Sequence, residues 1–225
     1  MNNLAEQKKY TYKDYIKWRG EIRYELIGGV AYAMASPSPA HQRISMELSR
    51  QLSNFLRGKT CKVFHAPLDV RLNADSFDDI VVQPDILVVC DKSKIDSRSV
   101  KGAPDFIIEI LSPYNTRHDT VRKARLYRMA GVREYWIIDP NAKTVLAYIL
   151  ENGRYTVGDY GDGDVVPVHT LNGCEINLSE VFYDTAEPET DESEPAIKQK
   201  IIEAMKKSGI SEEQIEKIIE MSNNY

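Results

Sequence analysis

The chain has 225 residues, 42% hydrophobic and 28% charged, with 12 Gly and 10 Pro. That length suits one to two domains with a sizeable core, and the composition excludes collagen-like, mucin-like and fully disordered chains. Lys and Arg number 29 against 34 Asp and Glu; residues from Ala186 onward hold ten acids and five bases, so the whole net charge of −5 lies there and residues 1–185 are neutral. Lys8, Lys9, Asp14, Lys17 and Arg19 break up the start of the chain where a secretory signal would be apolar. Tyr12–Arg19 reads as a short helix capped by Thr11. Arg23–Ile27 and Val30–Ala35 flank Gly28-Gly29 and read as a β-hairpin. After Ser36-Pro37-Ser38-Pro39, the apolar residues Ile44, Leu48, Leu52, Phe55 and Leu56 recur at helical spacing, which predicts an amphipathic helix over Ala40–Arg57. Strand-like runs follow at Cys61–Leu72, at Val81–Cys90 (interrupted by Gln83-Pro84-Asp85) and at Pro104–Leu111, the last apolar on both faces as in an internal strand. Thr116–Ala130 reads as a helix closed by Gly131, Glu134–Asp139 as a strand, Thr144–Leu150 as its hairpin partner, and Arg154–Tyr160 and a segment through Ile176 as further β structure. Strand, helix and strand over 105–139 predict a right-handed crossover between two parallel strands. The class is therefore α/β or α+β with a mixed sheet. Residues 186–195 are an acidic linker, and Ala196–Lys207 and Glu212–Met221 read as two helices. No apolar run reaches the roughly 18 residues of a membrane span. Three cysteines, Cys61, Cys90 and Cys174, are odd in number and far apart in sequence, which argues against a disulfide framework and for a reducing, cytoplasmic setting.

Three residues break their local pattern. Asp85 opens the apolar strand ILVV, and Glu109 sits inside FIIEIL on the face of Ile107 and Leu111. An unpaired carboxylate there costs several kcal/mol of desolvation, roughly, so a cation belongs beside it. Lys123 shares a helical arc with Leu126, Tyr127 and Ala130, whereas Arg122, Arg125 and Arg128 cluster on the opposite, outward side. An amine meeting two carboxylates in a crevice suits a divalent metal and an activated water. Carboxylate oxygens favour Mg²⁺, with Mn²⁺ as a substitute, and phosphodiester hydrolysis is the matching chemistry. Each residue also has a plain structural reading. Asp85 after a proline is equally a strand cap. Glu109 and Lys123 form an ion pair in a core, or Lys123 snorkels past an apolar face. Tyr127 reads as packing, Asp69 is not placed by the sequence, and His65, His118 and His169 have no metal-ligand spacing.

The ordered segments YELIGG (24–29), SPxxxHQ (36–42), QPDILVV (83–89), GAPDFIIEILSP (102–113) and DTVRKARLYRMAGVREYWIIDP (119–140) resemble the Uma-two family of restriction-endonuclease-like domains, placed in the PD-(D/E)XK nuclease superfamily. The resemblance covers about residues 12–180. It implies a restriction-endonuclease-like mixed β-sheet core flanked by helices, to which the two C-terminal helices read above add an extra helical tail. It also implies Asp85 as the aspartate of the nuclease motif and Glu109 as the second acid. Leu111 stands where the motif's lysine usually lies; Lys123 matches the known migration of that lysine into the following helix. Glu25 is implied as an additional acidic ligand and His41 as a recurrent family histidine, with a helix-entry hydrogen bond as its alternative role. Family members commonly carry Asp where this chain has Gly28.

The resulting expectation is a nuclease domain over 1–185, a linker over 186–195 and a helical extension over 196–225. Asp85, Glu109 and the Ile110 backbone carbonyl would hold the metal, Lys123 would orient the attacking water, and the substrate would be DNA. The alternative is a catalytically silent nuclease-fold module that binds nucleic acid or a protein partner, motivated by the neutral core. A two-fold homodimer suits cutting paired strands, and the apolar positions Ile201, Ile202, Met205, Ile215, Ile218 and Ile219 would mediate it or dock on their own domain.

Overall fold

The sequence elements settle into two main sheets that share one core, as seen in the computed structural model, which describes residues 9–18, 22–112 and 117–183. The expected linker and the two C-terminal helices lie outside the described residues. Helix α1 is a single turn, Tyr12–Tyr15, shorter than the sequence suggests. Thr11 donates from its N–H (3.1 Å) and its hydroxyl (3.0 Å) to Asp14, but one turn has too few internal bonds to propagate alone. The hairpin is β1 (Tyr24–Ile27) and β2 (Val30–Ala33), with Gly28 and Gly29 at φ +58° and +81°, the values a two-residue hairpin turn demands. Helix α2 (Pro39–Leu56) starts with Pro39 at its first position, where its missing N–H costs nothing, and Ser38 Oγ caps the His41 N–H at 3.2 Å.

The run expected over Cys61–Leu72 is two strands, β3 (Lys62–His65) and β4 (Asp69–Arg71), which belong to different sheets; the Ala66–Pro67 bond between them is cis. The next run divides in the same way. Strand β5 (Val81–Val82) and β6 (Ile86–Val89) lie in different sheets, because Pro84 has no N–H to continue a ladder. The chain therefore crosses from one sheet to the other at Gln83-Pro84-Asp85. Strand β7 (Ser99–Lys101) follows a 3₁₀ turn at Lys92–Lys94, and β8 (Phe106–Ile110) leads to α3 (Arg117–Ala130) and β9 (Glu134–Asp139). Strands β8 and β9 pair in parallel, as the strand–helix–strand pattern predicts. A meander of β10 (Thr144–Glu151) and β11 (Arg154–Gly161) completes the larger sheet, in the order β11-β10-β9-β8-β6-β3. The smaller sheet runs β2-β1-β5-β4-β7. A short ribbon of β12 (Val165–Pro167) and β13 (Glu175–Asn177) ends in α4 (Leu178–Val181).

Alternation along the central strands divides the core. Ile86, Val88, Phe106, Ile108, Ile110, Trp136 and Ile138 face α2, where Ile44, Leu48, Leu52 and Leu56 form the apolar stripe. Leu87, Val89, Ile107, Tyr135 and Ile137 face the other way, onto Tyr127 of α3 and Val70, Val82 and Val100 of the smaller sheet. Leu48 is fully buried in the first layer, so Leu48→Ala is expected to lower stability by about 2–5 kcal/mol, measured as a lower urea midpoint at an unchanged slope. Among the described residues no helix is long and apolar enough to cross a membrane.

The cysteines correct one expectation. Antiparallel pairing of β3 with β6 sets Lys62 opposite Val89, and the residues just outside that pair, Cys61 and Cys90, form a disulfide with an S–S distance of 2.06 Å. Their separation of 29 residues in sequence disappears once the strands pair. Cys174 is free and buried, and burial pushes its thiol up to about 11.

Candidate active site

The crossing at Gln83-Pro84-Asp85 delivers Asp85 to the junction of the two sheets, beside the end of β8. The Ile110 N–H donates to Asp85 Oδ2 at 2.8 Å. In an extended strand one residue's N–H and C=O point the same way, so the Ile110 carbonyl lies on the Asp85 edge of β8. His41 enters from the first turn of α2, and its Nε2 lies 3.1 Å from the same Oδ2. The helix-entry hydrogen bond considered from sequence is made by the His41 N–H, which Ser38 caps, while the His41 ring holds Asp85. Its Nδ1 is buried without a hydrogen-bond partner among the described residues.

Glu109 projects from β8 onto the α3 side, the face that strand alternation assigns it. Lys123 Nζ lies 3.1 Å from Glu109 Oε1 and 3.1 Å from Glu25 Oε1. The three side chains are 7–11% exposed (Glu25 7%, Glu109 10%, Lys123 11%), so this is a nearly desolvated bridge. Tyr127, one turn along α3 from Lys123, donates its hydroxyl to Glu109 Oε1 at 2.6 Å, and the Gln83 N–H donates to Glu25 Oε1 at 3.1 Å. The residues singled out from sequence thus fall into two contact sets, Glu25–Lys123–Glu109 and His41–Asp85–Ile110, which adjoin in the chain at Glu109 and Ile110. Tyr127 and the Gln83 main chain were not assigned this role. A tyrosine on the lysine's own helical arc was the available signal for the first; only the fold reveals the second.

Two other sequence expectations change. Arg122 does not face outward with Arg125 and Arg128; it is half-buried, with its guanidinium 4.1 Å from the centre of the Tyr32 ring, because β2 offers it an aromatic face. Asp69 stands on a different face of the smaller sheet from the acids, where it accepts from Tyr15 and from the Gln83 side chain. His65, opposite Ile86 in the β3–β6 ladder, bonds its neighbour's carbonyl, and His169 is exposed.

Electrostatics follow from the imbalance of three carboxylates around one lysine. Burial pushes the Glu109 carboxyl up to about 7; Lys123 pulls it down, while Asp85 and Glu25 push it further up. A carboxyl whose folded pKa exceeds its unfolded value, about 4.3, contributes stability that is present below pH 4 and lost as pH rises through 7. Chelator-treated protein is therefore expected to melt at a lower temperature at pH 8 than at pH 5, and Glu109→Gln to flatten that dependence.

The donor set fits a hard divalent cation. Asp85 Oδ1 and Glu109 Oε2 accept no hydrogen bond among the described residues, and the negative surplus is what such an ion would neutralise. Among the described residues no three His, Cys, Asp or Glu side chains form a ready-made cluster. Two carboxylates with a main-chain carbonyl and waters are the sparser set that suits Mg²⁺.

Comparisons with known proteins show the family and the fold. A crystal structure described as "a putative nuclease belonging to DUF820", from Anabaena variabilis, superposes with a TM-score of 0.63 at 22% identity, over 77% of this chain and 97% of that one. It shares the restriction-endonuclease-like fold. A Synechocystis sp. protein, "Uncharacterized protein slr1290", is 30% identical over 168 residues, which are 72% of this chain and 86% of that protein. The family model described as "Putative restriction endonuclease" matches residues 12–179, a span that begins at α1, ends in α4 and takes in every acid of the junction. The chain belongs to the Uma2 family.

Proposed function

We propose that the chain is a divalent-metal-dependent endonuclease that hydrolyses DNA phosphodiester bonds at the junction of its two sheets. The observation that carries this reading is the 3.1 Å approach of Lys123 to Glu109, beside an Asp85 held by His41 and the Ile110 amide. Asp85, Glu109 and the Ile110 carbonyl would hold Mg²⁺ or Mn²⁺, with Glu25 in reach of the same charge. The cation, when bound, supplies positive charge against the phosphate oxygens and acidifies water. Lys123 donates its ammonium protons, orienting the attacking water and steadying charge on the phosphate as it builds up. His41 and the Ile110 N–H fix the Asp85 carboxylate, and Tyr127 fixes Glu109, so neither acid must reorganise.

Supercoiled plasmid incubated with purified protein and Mg²⁺ or Mn²⁺ tests this. Nicking that disappears with chelator and in the Asp85→Ala and Lys123→Ala proteins is the expected result. Nicking that survives both substitutions contradicts it. A second reading, a binding module that retains the scaffold without cutting, draws support from Lys123 being held between two carboxylates, as in a structural ion pair. Metal binding that depends on Glu109, with no cleavage of duplex, branched or single-stranded DNA, would favour it.

A further inference from the structure

On the α1 face of the smaller sheet lies an open cleft of about 340 Å³, walled by Tyr12, Tyr15, Trp18 and Tyr24, with Asp69 and Gln83 at its floor and Arg23 and Arg98 beside it. Its aromatic rings pack on one another at 5.4–5.9 Å; Tyr12 is buried, whereas Tyr15, Trp18 and Tyr24 stay half-buried, with Trp18 meeting Tyr15 at 5.4 Å and Tyr24 at 5.5 Å. A small core would close over such rings; here they line a space.

The floor is rich in acceptors. The Gln83 amide nitrogen donates to Tyr15 Oη (3.1 Å) and to Asp69 Oδ1 (2.9 Å), which fixes the amide's orientation. Tyr15 also donates to Asp69 Oδ1 at 3.0 Å, whereas Asp69 Oδ2 has only the long 3.5 Å contact from Tyr12. Gln83 is 8% exposed, and its Oε1 is buried with no partner among the described residues. A buried acceptor left unpaired calls for an explanation, and a ligand that brings donors provides one.

Gln83 links the cleft to the acids. Its N–H holds Glu25 on one side of the strand, its side chain floors the cleft on the other, and Asp85 follows two residues later, at most about 7 Å along the chain.

We propose that this cleft seats one unstacked nucleobase of the strand being cut, chosen for a donor edge and best satisfied by guanine. Its ring stacks in the aromatic wall, and its N1–H and N2–H groups face the Asp69 carboxylate, where Oδ2 has only its long contact from Tyr12. Arg23 and Arg98 lie beside the flanking phosphates. Stacking is tolerant of sequence, so discrimination comes from the acceptor floor. The proposal rests on the nuclease reading for the identity of the strand.

The test is fluorescence anisotropy on full-length Asp85→Ala protein in chelator, where no cleavage occurs. The probes are labelled 11-nucleotide thymidine strands carrying one central guanine, adenine, cytosine or thymine. The expected result is about tenfold tighter binding of the guanine strand than of the all-thymidine strand. That preference is lost in Asp69→Asn and overall affinity falls about tenfold in Trp18→Ala. Equal affinity for all four strands overturns the proposal without any further variant, as does a guanine preference that survives Asp69→Asn. The nuclease reading fails separately: base-dependent binding without plasmid nicking by the parent protein supports the cleft and removes the catalysis. Nicking without base dependence removes only the cleft.

Discussion

Lys123→Met is expected to destabilise the protein by about 3–5 kcal/mol, among the largest costs of any single substitution. The methionine retains the apolar stem and removes the charge, so Glu25 and Glu109 are left facing each other with side chains 7% and 10% exposed. Neither can reach bulk water without opening the packing around Tyr127, which is fully buried. The carboxyls will instead take up protons, so the loss should shrink as pH falls from 8 to 5. Glu109→Gln in the same chain should restore part of it, because the amide still accepts from Tyr127 without a charge. Urea unfolding of the two single variants and the double variant measures this coupling. A Lys123→Met cost below about 1 kcal/mol would mean that the bridge is a solvated surface pair.

Asp85→Asn separates catalysis from folding. The amide oxygen can still accept from the Ile110 N–H, now 2.8 Å from Asp85 Oδ2, so stability should change by about 1 kcal/mol or less. The negative charge that would hold a cation is gone. Plasmid nicking in Mg²⁺ should therefore fall by about three orders of magnitude or more. Single-turnover nicking, read beside a melting curve, distinguishes the two effects. An active Asp85→Asn protein would place the reaction elsewhere.

Local chemistry made much of this molecule readable in advance. Period-two alternation in FIIEIL marked β8 as buried on both faces and set Glu109 on the α3 side; period 3.6 in α3 set Lys123 on the arc of Tyr127, and the two meet. Gly28-Gly29 fixed a hairpin because few other residues accept that turn. What stayed hidden depended on pairings distant in sequence. Cys61–Leu72 read as one run and Pro84 as an interruption of another, yet the chain changes sheets within each, and no local pattern names the sheet it joins. The Cys61–Cys90 disulfide is invisible until β3 and β6 lie side by side. Arg122 read as solvent-facing because helical periodicity knows nothing of Tyr32 on a different element. The Gln83 main chain holds Glu25 through its N–H, and backbone donors have no sequence signature.

The claim beneath all of these is that Asp85 and Glu109 together seat a divalent cation within reach of Lys123. Crystals grown with Mn²⁺ and measured for anomalous scattering test it most directly. The account predicts a peak between the two carboxylates, on the Ile110 carbonyl side, that vanishes in the Asp85→Asn protein. A map with no peak there while the carboxylates stay bound to His41 and Lys123, or a peak confined to other acids, would contradict it.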